Sequence, residues 1–144
     1  MLSNTCKYAI RSVIYLALNS VDGEKIGIKK IAEDLVIPAP FLGKIMQVLA
    51  KNKILSSTKG PNGGFSLGKP PKKITLMDIV DVIDGEDRFN ACIIGLQSCT
   101  KEQANCPIHD TYAPIREEAK RLFIKLNIYE LADSIRKNEN RIII

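Results

Sequence analysis

At 144 residues, 45% of them hydrophobic and 26% charged, the chain can bury one good core with an appended arm but is short for two independent domains, and disorder over most of its length is excluded. Its net charge of +5 is unevenly placed: residues 1–72 hold eleven Lys and Arg against four Asp and Glu, and residues 73–144 hold ten against twelve. A front half of +7 joined to a back half of −2 directs the first at a polyanion and leaves the second for another task, although a plain basic surface also accounts for the charge alone.

Ser3 or Asn4 caps a first helix in which Ala9, Ile10, Val13, Ile14, Leu16, Ala17 and Leu18 recur at helical spacing until Asn19, Ser20 and Asp22-Gly23 end it. Tyr8 to Leu18 is strongly apolar, but Arg11 interrupts it, no small-residue cleavage site follows, and it falls short of a bilayer span. The expectation is a soluble, unprocessed, cytoplasmic protein with no membrane partner, whose four cysteines are reduced thiols or ligands rather than a disulfide framework. Cys6, inside this helix beside Lys7, reads as a small core residue.

Ile28 to Leu35 forms a two-turn amphipathic helix with Ile28, Ile31, Ala32 and Leu35 on one face and Lys29, Lys30 and Glu33 on the other. A short connector leads to Pro40, accepted at a helix start because its missing N–H would be unpaired there, and a third helix runs to about Asn52. Two short helices joined by a brief turn behind a longer one make a helix-turn-helix. The second of the pair turns Leu42, Ile45, Met46 and Leu49 inward and Gly43, Lys44, Gln47 and Lys51 outward, a face suited to a major groove or simply to solvent. Ile54 to Thr58 and Gly64 to Leu67 are strand-like runs around Lys59-Gly60-Pro61-Asn62-Gly63, which carries Pro and an Asn-Gly turn signal. A hairpin in that place is a wing, with Lys59 and Asn62 at its tip.

After the Pro70-Pro71 breaker, Thr75 caps a helix with Leu76, Ile79, Val80 and Ile83 on its apolar side, closing at Asp84-Gly85. Glu86 to Asp110 shows no clean periodicity, and a loop of that length is functional or disordered. It holds Cys92, Cys99, Cys106 and His109, three of the four cysteines and the only histidine, spaced Cys-x6-Cys-x6-Cys-x2-His. Such soft donors suit a transition metal or an iron–sulfur centre; a Cys3His zinc site and plain reduced thiols satisfy the same spacing. A thiol redox enzyme using Cys106 and His109 is the competing class, weakened by the lack of a Cys-x-x-Cys motif, a phosphate-binding glycine loop or paired carboxylates. From Tyr112 to about Leu126 the apolar stripe Ile115, Ala119, Leu122, Phe123 and Leu126, set among Arg116 and other charged residues, makes a long amphipathic helix. So little chain follows that a second copy is expected to cover it, giving a homodimer. Tyr129 to Lys137 adds a short helix, and Ile142-Ile143-Ile144 forms a tail that is exposed unless a partner covers it.

Lys7-Tyr8-Ala9-Ile10-Arg11, Leu16-Ala17-Leu18, Ile31-Ala32, Leu49-Ala50-Lys51-Asn52 and above all Lys59-Gly60-Pro61-Asn62-Gly63-Gly64-Phe65-Ser66-Leu67 resemble the Rrf-type family of bacterial winged-helix transcription regulators. The likeness extends over nearly the whole chain, through Ile74-Thr75-Leu76-Met77-Asp78-Ile79-Val80 and the Cys-to-His segment. It implies a mostly α fold with a small β-hairpin wing, divided into a winged helix-turn-helix unit at 1–84, a cysteine-rich cluster-binding loop at 85–111, and a dimerisation helix with its tail at 112–144. It further implies a homodimeric repressor of double-stranded DNA. Cys92, Cys99, Cys106 and His109 would then hold a two-iron, two-sulfur cluster sensing iron, redox state or nitric oxide. A family regulator with zinc or no metal, controlled by a protein or small-molecule partner, is the alternative. Lys44 and Gln47 are the expected base contacts, Lys29, Ser57, Thr58 and Lys59 the expected phosphate or minor-groove contacts, and Pro40, Gly43 and Asn62 complete the expected DNA face.

Overall fold

A computed structural model describes residues 2–95 and 106–137 of the chain. Helix α1 (Asn4–Asn19) starts at Ser3, whose hydroxyl accepts the Cys6 N–H at 3.0 Å, and it forms the floor of the core through Ala9, Val13 and Leu16, all fully buried. Ser12 is buried on the same face at no unpaired cost, since its hydroxyl donates back to the Tyr8 carbonyl at 2.7 Å.

Helices α2 (Ile28–Leu35) and α3 (Ala39–Lys51) follow with the expected inward residues buried. Their turn is tight because Val36 takes the left-handed conformation at φ 55°, letting the Ile37 N–H reach the Ala32 carbonyl at 3.0 Å. Arg11 of α1 satisfies another orphan carbonyl, that of Leu35, at 3.0 Å. A β-branched residue in that conformation is strained, and Val36 is 85% exposed, so its side chain recovers nothing by packing. Val36→Gly is expected to raise stability by about 1 kcal/mol in denaturant titration; a loss would show that Val36 makes a contact the exposed position hides.

The hairpin β1 (Leu55–Thr58) and β2 (Gly64–Leu67) pairs antiparallel with Ser57 opposite Phe65 and Thr58 opposite Gly64. Its loop turns on Pro61-Asn62, with the Gly63 N–H donating to the Gly60 carbonyl at 2.9 Å, so Asn62-Gly63 is not the central pair that the Asn-Gly signal implies. Ile26 bridges Phe65 through hydrogen bonds of 2.9 Å in both directions and ties the wing to the approach to α2.

Helix α4 (Leu76–Ile83) begins with a capping box: Asp78 accepts the Thr75 N–H at 2.8 Å and Thr75 accepts the Asp78 N–H at 3.1 Å. Beyond it the structure departs from the long irregular loop. Gly85 turns at φ 90° into a 3₁₀ turn, Glu86–Phe89, which drives Phe89 into a satellite core with Cys6, Met77 and Val80. Helix α5 (His109–Lys125) starts at His109 rather than Tyr112. Its stripe divides. Phe123 packs edge-on against Phe89 at 5.2 Å, whereas Ile115 and Leu122 stay exposed at 63% and 50%. Arg116, grouped with the water-facing charges by periodicity, is buried. Helix α6 (Ile128–Lys137) returns to the front of the molecule: Ile128 is fully buried in the main core, its N–H donates to the Ile74 carbonyl at 2.9 Å, and Arg136 donates to the Ala17 carbonyl at 2.9 Å. The tail at Ile142 to Ile144 lies outside the described residues.

Candidate nucleic-acid interface and thiol site

Burial of Leu42, Ile45, Met46 and Leu49 fixes the rotation of α3 about its axis, and the opposite face follows from the 3.6-residue repeat. Lys44, Gln47 and Lys51 are exposed there, Pro40 is exposed in the first turn, and Gly43 is half-buried. No acidic residue occurs on α3. A groove of about 510 Å³ opens between the start of α2 and the wing, lined by Gly27, Ile28, Lys29, Thr58, Gly60 and Pro61. Ser57, Lys59 and Asn62 are exposed along the same hairpin. The candidate residues from three separate stretches of sequence thus lie on α3, on the first turn of α2 and on the wing.

The thiol site is assembled by the two ends of the segment after α4. Cys92 and Cys106 lie with their Sγ atoms 3.9 Å apart, both reduced. The His109 N–H donates to the Cys106 carbonyl at 3.1 Å, and both Cys106 and His109 are buried. Cys99 lies outside the described residues, among which no three His, Cys, Asp or Glu side chains gather as a metal cage. Two thiolates on one tetrahedral ion, with metal–sulfur bonds of about 2.3 Å, stand about 3.8 Å apart. The Cys92–Cys106 separation fits that requirement.

Asp84 and Phe89 are the residues that sequence reasoning missed. Asp84 accepts the Ser3 N–H at 2.9 Å, also accepts the Ser3 hydroxyl, and pairs with Arg88 at 3.5 Å, so it fastens the thiol-bearing segment to the start of α1. No local pattern signals the Asp84–Ser3 tie, whose partners lie 81 residues apart in sequence. Cys6 lies beneath this junction, fully buried, and burial first, with the Asp84 charge second, pushes its thiol up to about 12. It is a core residue, as expected of a cysteine in that helix.

A helix-turn-helix with its second helix exposed along a basic face, followed by a hairpin at its flank, defines a winged-helix DNA-binding protein. Residues 2–134 match the Rrf2 family, described as "Iron-dependent Transcriptional regulator", and the chain belongs to that family. It is 33% identical over 132 residues to a protein of Aquifex aeolicus named "Putative HTH-type transcriptional regulator", covering 91% of this chain and 90% of that one. It is 27% identical over 141 residues to the HTH-type transcriptional regulator IscR of Klebsiella pneumoniae, covering 96% and 81%. Among solved structures, CymR, the global cysteine regulator of B. subtilis, superposes with a TM-score of 0.76 at 23% identity over 93% of this chain and 97% of that one. IscR of T. potens gives 0.70 at 20% identity over 96% and 90%. The family comprises transcriptional regulators and not enzymes, so the reading of Cys106 and His109 as the working pair of a thiol redox enzyme does not stand. No helix among the described residues is long and apolar enough to cross a membrane.

Proposed function

We propose that this chain represses transcription as a homodimer whose grip on operator DNA is set by an iron–sulfur centre held by Cys92, Cys99, Cys106 and His109. The observation that carries the reading is the 3.9 Å approach of the Cys92 and Cys106 sulfurs, with His109 buried at the start of α5 three residues after Cys106, in a regulator family described as iron-dependent. When bound, such a group supplies a centre whose integrity follows iron supply and oxidants. The protein's own part is mechanical. Asp84, Arg88 and Phe89 anchor one end of the segment on α4 and α1, and His109 begins α5 at the other. Holding Cys92 near Cys106 therefore restrains α5 relative to the DNA-reading unit. Exposed Ile115 and Leu122, seven residues apart on one face of α5, support a second copy as the cover for that helix. A two-state orientation of the paired reading units, biased at the thiol site, is the switch.

On DNA, Lys44 and Gln47 reach base edges in the major groove, with Pro40 and Gly43 allowing close approach. Lys29, Ser57, Thr58, Lys59 and Asn62 hold the backbone and the adjacent minor groove around the cleft between α2 and the wing. Lys59→Ala is expected to weaken every duplex alike and to lower the slope of log affinity against log salt by about 1. A loss confined to one operator base pair would assign Lys59 to base reading instead.

Anaerobic purification followed by the visible spectrum and analysis of iron, zinc and acid-labile sulfide tests the metal. Cys99→Ser is expected to bring iron and sulfide to background and operator affinity to that of the metal-free chain. Operator affinity that is the same in this variant with and without iron and sulfide would remove the sensing role and leave DNA binding intact. Zinc without sulfide would assign a Cys3His zinc site; no metal at all would favour control by a small-molecule or protein partner, in line with the cysteine regulation attributed to the B. subtilis relative.

A further inference from the structure

The exposed side of α3 is not uniformly polar. Phe41 and Val48 are 39% and 42% exposed, and they stand on either side of Lys44, three residues before it and four after it. Positions at these spacings adjoin on a helix surface, so the three side chains form one continuous stripe, apolar at both ends and cationic in the middle. Scattered apolar residues on a surface need no explanation, but these two have further features in common. Both are held still. The Phe41 ring meets the Tyr8 ring edge-on at 5.9 Å and 87°, and Tyr8 in turn lies under the Arg11 guanidinium at 5.8 Å, whose other partner is the Leu35 carbonyl. Val48, being β-branched, has one strongly preferred rotamer in a helix. The absence of any acidic side chain on α3, with Lys44 and Lys51 exposed, makes the stripe complementary to a polyanion.

Within a major groove the apolar features are the 5-methyl groups of thymine, and they are what a braced, half-exposed apolar side chain can read. We infer that Phe41 and Val48 are specificity residues that each pack on a thymine methyl of the operator half-site, with Lys44 taking a groove acceptor between them. This rests on the proposed seating of α3 in the major groove and adds which bases it selects. Seven residues of helix rise about 10 Å, so the two thymines should stand about three base steps apart at about 3.4 Å per step.

The test begins by selecting duplexes from a random library with the full chain, then replacing each thymine of the selected half-site singly by deoxyuridine. That exchange removes one methyl and leaves every groove donor and acceptor in place. For the unmutated chain the dissociation constant is expected to rise about fourfold at each of two thymines about three steps apart, the equivalent of one buried methyl. Phe41→Ala should abolish the penalty at one of them and Val48→Ala at the other. Should either variant lose its helical circular dichroism, the scan with the unmutated chain decides. Deoxyuridine penalties near one at every thymine, or penalties unchanged in both folded variants, would overturn the inference while leaving DNA binding in place; selection of no duplex would overturn both.

Discussion

Phe89→Ala is expected to cost about 3–5 kcal/mol of stability, the range for emptying a large aromatic site in a well-packed interior. Phe89 is 2% exposed and joins three parts of the molecule: it shares a buried cluster with Cys6 of α1 and with Met77 and Val80 of α4, and its ring meets that of Phe123 of α5. It is the apolar anchor of the thiol-bearing segment, whereas Asp84 and Arg88 are the polar one. Denaturant titration measures the loss, and alkylation of Cys6 locates it. Cys6 is fully buried and its thiol is pushed up to about 12, so in the intact protein it is shielded both by access and by the scarcity of thiolate. In the variant its labelling should accelerate together with the fall in midpoint. A cost below about 1 kcal/mol with Cys6 still protected would mean that the satellite core closes without the ring, and that the segment is held by Asp84 instead.

Gly64→Ala is expected to cost about 3 kcal/mol and to reduce duplex affinity for all sequences, because the wing can no longer dock on the approach to α2. A Cβ at Gly64 would lie 2.3 Å from the Ile26 carbonyl oxygen and 2.9 Å from the Gly27 nitrogen, and both are backbone atoms with no rotamer to yield. Relief requires the separation of Ile26 from Phe65, which breaks two hydrogen bonds of 2.9 Å and lifts Phe65 from the core. The glycine is thus needed for close approach between two chain segments, not only for turning. Thermal melts and filter or gel binding measure the two effects. Wild-type stability with an unmoved affinity would show that the wing floats free of α2.

The helix-turn-helix and the wing were legible because their signals are local. Leu42, Ile45, Met46 and Leu49 recur at the helical period, Ser3 and Thr75 are caps recognisable from their own neighbours, and Gly60-Pro61-Asn62-Gly63 marks a turn within a few residues. The thiol site was legible in part: the donor types and their order are sequence facts, whereas the 3.9 Å approach of Cys92 to Cys106 depends on both ends of the segment being anchored. Periodicity failed where a residue's partner is distant. Phe89 stood in a stretch with no period because one buried side chain makes none, and Arg116 matched the polar face of α5 although it is buried.

The amino-acid sequence by itself determined the class of protein and the candidate residues: a second helix with a basic outer face, a glycine-rich hairpin and three thiols with a histidine behind them. These follow from 3.6-residue periods, capping chemistry and donor softness, which act over a few bonds or a few residues. Tertiary structure alone decided that Asp84 ties the thiol segment to Ser3, that α6 returns to the core through Ile128, that Gly64 passes against Ile26, and that Phe41 is braced by Tyr8. Each is a contact between chain segments far apart in sequence, settled by the packing of the whole molecule and carried by no local pattern.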